Sequence, residues 1–157
     1  MRILLIRHAP ALSRVNWLRD DFERPLSDKG IISAKKAFKE LSKIYDTPGA
    51  VFCSDAVRTK ETAQLFAKYF RGSRVTQTSN LNPNQGFDGF KALLEGQNLE
   101  SAAFIGHEPD LSHILKKLIS ADDNVSIEIK KGALVELEMD ENFKATLKAI
   151  IPPKIFG

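Results

Sequence analysis

The run Ile3-Leu4-Leu5-Ile6, held between Arg2 and Arg7, constrains this chain more than any other segment. Four consecutive aliphatic residues fall far short of the ~18 needed for a membrane span. They also lack the alternation of a strand with one wet face. What remains is a short strand covered on both sides, the kind found inside parallel sheets. The run is also too short for a secretory leader and has no small-residue cleavage site after it.

Parallel strands need crossovers, and the following sequence supplies them. Ser27-Asp28-Lys29-Gly30, after Pro25, reads as a turn into a helix. That helix is predicted over Ile31–Tyr45, where Ile31, Ala34, Ala37, Phe38, Leu41 and Tyr45 recur at helical spacing. Thr47-Pro48-Gly49 stops it. Ala50–Cys53 is a second strand, and Ser54-Asp55 is expected to cap a helix over Ala56–Phe70. Arg74–Thr78 is a weak third strand, Asn80–Gly86 a loop and Phe87–Gly96 a short helix. Ser101–Ile105 is an apolar strand, and Pro109–Ile119 is a helix with Pro109 in its first turn. Lys131–Met139 and Phe143–Ile150 form a hairpin around Asp140-Glu141-Asn142. The alternation predicts an α/β fold: a three-layer α/β/α sandwich with a mainly parallel central sheet and a C-terminal hairpin. Residues 1–157 are expected to form a single domain, since half this length would be short of core material.

The excess charge is only +3 and is spread over pairs such as Lys35-Lys36, Lys116-Lys117 and Lys130-Lys131. No basic stripe interleaved with aromatics is present, so neither nucleic acid nor a membrane is expected as a partner. A mild attraction for anionic ligands follows from the sign. The single cysteine, Cys53, lies in an apolar run and allows no intramolecular disulfide. Together with the missing leader, this points to the cytoplasm. Three histidines without a cysteine pair or close His spacing make a poor zinc site, so no metal is expected. There is no Gly-rich phosphate loop, and no cofactor is called for.

Chemistry-bearing residues follow three of the strands: Arg7-His8 after the first, Ser54 with Arg58 after the second, and Gly106-His107 after the strand from Ser101. In an open parallel sheet, the carboxyl ends of neighbouring strands face one crevice, so these groups are expected to converge. A neutral imidazole at His8 can attack phosphorus. Arg7 and Arg58 can neutralise phosphoryl oxygens with planar, permanently charged forks, and His107 can add an N–H donor. The helices starting near Ala56 and Pro109 turn their positive ends toward the same crevice. Positioning and charge stabilisation are most of what phosphoryl transfer asks of a protein. The polar stretch Ala9–Leu26, with Trp17 and several charges, is the loop expected to border the ligand. His113, inside a predicted helix, is expected to be a partly buried helix residue and not a ligand.

Taken together, these segments resemble the histidine phosphatase superfamily, which includes the phosphoglycerate mutases. The resemblance rests on Ile6-Arg7-His8-Ala9, on Arg24-Pro25-Leu26-Ser27-Asp28-Lys29-Gly30, on Ser54-Asp55-Ala56-Val57-Arg58-Thr59-Lys60-Glu61-Thr62-Ala63, and on Ile105-Gly106-His107-Glu108-Pro109. Within it, the short SixA-type phosphohistidine phosphatases are the most similar in size. They also resemble this chain in Leu81-Asn82-Pro83-Asn84, Lys131-Gly132-Ala133 and the Pro152-Pro153 ending. The resemblance implies a phosphoglycerate mutase-like fold without a lid domain. It implies a phosphohistidine intermediate on His8, with Arg7, Arg58 and His107 binding the phosphoryl group. The implied partner is a phosphohistidine-bearing signalling or phosphotransfer protein, or a small phosphorylated substrate, and the product is inorganic phosphate. Ala9 stands where the family usually has Gly. The Asn80–Gly86 loop lacks the Glu that many relatives use as proton donor, leaving Asp88 and Glu108 as candidates. The missing Glu favours a phosphoramidate substrate, whose leaving imidazole needs less acid help than an alkoxide. The alternatives are a small-molecule phosphomonoesterase of the same fold and a non-catalytic phosphate-binding module.

Overall fold

The computed structural model describes residues 1–157. Its centre is a six-stranded mixed sheet in the order β3-β2-β4-β1-β5-β6. The strands are β1 (Arg2–Arg7), β2 (Ala50–Cys53), β3 (Val75–Gln77), β4 (Ser101–Gly106), β5 (Leu134–Met139) and β6 (Ala145–Ile151). β1 to β4 run parallel, whereas β5 pairs antiparallel with β1, and β6 antiparallel with β5. The aliphatic run of β1 is central, between β4 and β5, and all four residues are fully buried.

The pleat divides that run between two cores. Leu4 and Ile6 pack with Phe38 of α1 (Asp28–Leu41) and Phe66 of α2 (Val57–Tyr69). Ile3 and Leu5 pack with Phe90 of α3 (Gly86–Leu94) and Leu115 of α4 (Asp110–Leu118). All four helices belong to these two layers, so none is left to form a lid. The fold is the expected α/β/α sandwich with a mainly parallel sheet and a closing hairpin. No helix is long and apolar enough to cross a membrane.

Element boundaries differ from expectation where side chains override the pattern. The first helix starts three residues early, because Ser27 Oγ accepts from the Gly30 amide, and its α-helical part ends at Leu41 rather than Tyr45. The helix after β2 has no side-chain cap, because Ser54 and Asp55 are engaged elsewhere. Ser54 bonds His107, and Asp55 accepts from Asn82 and Gln77. The expected Asn80–Gly86 loop contains part of a 3-10 turn, Ser79–Leu81, and Lys131–Ala133 precedes β5 without joining it.

Candidate active site

Adjacent strands bring the sequence-distant groups to one edge. Arg7 pairs in register with Gly106, and Cys53 with Ile105, so His8, Ser54 and His107 follow neighbouring strand ends. The His8 amide donates to the Gly106 carbonyl and the Ser54 amide to the Ile105 carbonyl, extending the ladder past each strand. Arg58 comes from the first turn of α2. Arg7, His8, Arg58 and His107 all line one open cavity of about 770 Å³. The imidazoles of His8 and His107 lie 5.4 Å apart, centroid to centroid, tilted by 56°.

Each ring is oriented by one hydrogen bond. His8 Nδ1 lies 2.8 Å from the carbonyl of Ala9, so Nδ1 carries the proton and Nε2 keeps its lone pair. His107 Nε2 lies 2.7 Å from Ser54 Oγ, which itself sits 2.6 Å from Thr59 Oγ1. Burial pushes the His8 imidazole down to about 3, helped by the nearby charges of Arg58 and Arg7. Burial likewise pushes His107 down to about 4, with Arg58 adding to the effect. Both rings are therefore neutral at pH 7.

Arg58 is buried and Arg7 half-buried, and neither guanidinium is fully satisfied within the chain. Arg7 donates through Nη1 to the carbonyl of Ile129, and Arg58 donates to the carbonyl of Asp21 while its Nη2 lies 3.0 Å from Asp21 Oδ2. The Nε–H of each is buried without a partner in the chain. Guanidinium groups lining a cavity are suited to an anion. Burial lowers both arginine pKa values, but guanidinium remains charged at any physiological pH.

The loop after β1 closes one side of the cavity on a fixed base. Ser27 donates its amide to the Pro10 carbonyl, Leu12 to Pro25, and Leu26 to the carboxylate of Glu61 on α2. Gly30 permits this approach: a Cβ there would lie 1.9 Å from the Pro10 carbonyl oxygen. Ala9, in place of the usual Gly, keeps φ negative, and its methyl packs into the core beneath α1 and α2. The substitution therefore brings no backbone strain.

Several cavity residues were not singled out from sequence as parts of the site. Arg24, only 5% exposed, donates to Asp21 and to the carbonyl of Leu12. Burial would raise the Asp21 carboxyl, but the Arg24 hydrogen bond and the charge of Arg58 hold it below its ordinary value. Lys131 and Pro83 also line the cavity. Arg24 had a signal, the Arg-Pro-Leu segment after a charged loop; Asp21 had none beyond its place in that loop. Of the two proton-donor candidates, Glu108 lines the cavity, whereas Asp88 is exposed on α3 and does not. Burial raises the Glu108 carboxyl above its ordinary value, against the opposing effects of Ser112, which bonds it, and of Arg7. His113 is exposed on α4, not partly buried as expected, because Ile114 and Leu115 take the core-facing positions.

The profile of the histidine phosphatase superfamily (branch 1) matches residues 3–83. The protein histidine phosphatase SixA, solved in complex with tungstate, superposes with a TM-score of 0.87 at 19% identity, covering 100% of both chains. The alpha-ribazole phosphatase of Shigella flexneri superposes at 0.75 with 20% identity, over 98% of this chain and 97% of that one. At these identities the two structures speak for the fold. An uncharacterised protein of Picosynechococcus sp. is 24% identical over 140 residues, 87% of this chain and 84% of that protein.

Proposed function

Because this chain belongs to the histidine phosphatase superfamily (branch 1) and is a hydrolase of phosphorylated substrates, we propose that it removes phosphate from a histidine on another protein, through a phosphohistidine intermediate on His8. The observation that carries this reading is the cavity itself. One imidazole with a free Nε2, a second neutral imidazole and two arginines line a single space.

The chemistry runs in two displacements. The lone pair of His8 Nε2 forms an N–P bond while the bond from phosphorus to the substrate imidazole breaks, and that imidazole leaves with the electron pair. If its other nitrogen is already protonated, it departs neutral and needs no further proton. Water then attacks phosphorus, the His8 N–P bond breaks, and inorganic phosphate is released. Arg7 and Arg58 offset the phosphoryl charge throughout. Ser54 Oγ, 2.7 Å from Nε2 of His107, fixes the orientation of that ring beside the phosphoryl site.

The choice of a phosphoramidate rests on the loop between β3 and α3. It reaches the cavity through Pro83 and carries no acid. A second reading, a small-molecule phosphomonoesterase, is favoured by Glu108, a cavity carboxyl whose raised pKa suits a proton donor to an alkoxide. Residues 1–157 are taken as one domain working in the cytoplasm in either case. Comparing kcat/KM for free phosphohistidine and for glycerol phosphate separates the two. The phosphohistidine reading expects a clear preference for the phosphoramidate and only a small loss in Glu108→Gln. Preference for glycerol phosphate, with activity lost in Glu108→Gln, establishes the monoesterase instead.

A further inference from the structure

The loop after β1 carries two sets of residues. Leu12, Arg14, Trp17 and Arg19 line the cavity. Val15 and Leu18, interleaved with them, do not, and they are the most exposed large apolar side chains in the molecule, at 88% and 95%. Isolated apolar residues on a surface are ordinary. Here two nearly bare aliphatics stand three positions apart on one loop, beside the mouth of the candidate active site. The base of that loop is held by the Ala11–Leu26 bridge and by the Arg24 hydrogen bond to Leu12. The aliphatic pair is thus presented from a fixed base.

Charge around the same mouth is one-sided. Six basic side chains and two carboxylates line the cavity, an imbalance larger than the +3 of the whole chain. One phosphoryl group does not match that surplus, and Arg14 and Arg19, at 76% and 69% exposure on the rim, are held only by solvent-exposed pairs with Asp21 at 3.5 Å and Glu23 at 3.2 Å, which are weak enough to leave both open to a further anion. Burial, with a smaller effect of the nearby arginines, lowers the pKa of Lys131. A ligand covering the mouth would therefore be expected to bring negative charge beyond the phosphoryl group, together with apolar surface for Val15 and Leu18. A small metabolite confined to the cavity would leave both aliphatics in water.

We propose that Val15 and Leu18, with the arginines beside them, form the docking surface for a folded acidic protein that presents the phosphohistidine. The proposal rests on the function inferred above and adds the partner's surface chemistry: carboxylates surrounding an apolar spot next to the modified histidine. Charge complementarity speeds and orients the encounter, while the aliphatic contacts hold the complex.

The test compares wild type with Val15→Ser/Leu18→Ser on two probes. One is an acidic histidine-phosphotransfer domain phosphorylated with phosphoramidate; the other is free phosphohistidine. Both substituted side chains are exposed, so the variant should fold, and unchanged turnover of free phosphohistidine verifies it. The expected result is a ~10-fold or larger fall in kcat/KM on the protein probe, carried mainly by KM, with the free amino acid unaffected. Equal kcat/KM on the protein probe in both forms overturns the docking surface. So does light scattering that finds a wild-type dimer and a monomeric variant, which would make the ridge a self-association contact. Wild type that cleaves glycerol phosphate but neither phosphohistidine probe overturns the function reading itself, and the docking inference with it; the free amino acid distinguishes that failure from the others.

Discussion

The parallel and antiparallel parts of the sheet are built from similar strands but carry different duties. In the parallel part, β1, β2 and β4 end side by side, and every group assigned to phosphoryl chemistry closes a strand, follows one or starts the next helix. In the antiparallel part, β5 packs Val135, Leu137 and Met139 into one core and Leu134 into the other, while β6 lies at the sheet edge, with residues 146–148 exposed. Its contribution to the cavity comes from the segment before β5: Lys131 lines it, and the Gly132 amide donates to the carbonyls of Arg7 and His8. Strand direction explains the contrast. Parallel neighbours gather carboxyl ends at one edge, whereas antiparallel neighbours alternate them.

Substitutions can break or sharpen this contrast. His8→Ala, at the end of β1, should lower turnover of free phosphohistidine and p-nitrophenyl phosphate by ~10³-fold or more, since no other group in the cavity replaces the nucleophile. Residual turnover near wild type would refute the covalent route. Gly30→Ala forces a methyl against the Pro10 carbonyl. It should destabilise the protein by about 1–3 kcal/mol in urea unfolding and reduce kcat/KM as the loop shifts. Ser54→Ala removes the contact that orients His107, together with those to Thr59 Oγ1 and the Ala56 amide, and should lower kcat by ~10-fold and cost about 1–3 kcal/mol in thermal unfolding.

Proton linkage gives a smaller effect. Folded His8 and His107 titrate near 3 and 4, whereas unfolded imidazoles titrate near ~6.5. Between those values the unfolded chain binds more protons, so stability should fall as pH drops from about 6.5 toward 4 and level off above 6.5. Urea midpoints measured at pH 5 and 7 check the sign, and the difference should shrink in His107→Asn. The smallest effect is expected on the antiparallel side. Leu147→Lys, on the partly exposed β6, should change stability by less than about 0.5 kcal/mol and leave turnover intact.

The parallel part was largely legible in the sequence, because β1, β2 and β4 are apolar runs and the helices show regular apolar spacing, whereas the exposed Val75–Gln77 gives only a weak signal. His8, Arg7, Arg58 and His107 could be named from the residues after those strands. Asp21 and Lys131 could not, because their places depend on loop geometry that no periodicity encodes. Ser54 was noticed but expected as a helix cap; its bond to His107 spans 53 positions and becomes visible only once β2 and β4 are adjacent. The choice between Asp88 and Glu108 likewise depended on which faced the cavity. Ala9 could be judged only when its φ and its buried methyl were known.

The position of β1 also governs how the chain can mature. This strand is made early, yet one of its two hydrogen-bonding neighbours is β5, and Arg7 reaches the carbonyl of Ile129 just before that strand. At ribosomal speeds of ~5–20 residues per second, the neighbour arrives roughly ten seconds later. Until then the most apolar strand has an open edge, and no truncated product ending before β5 should acquire phosphatase activity.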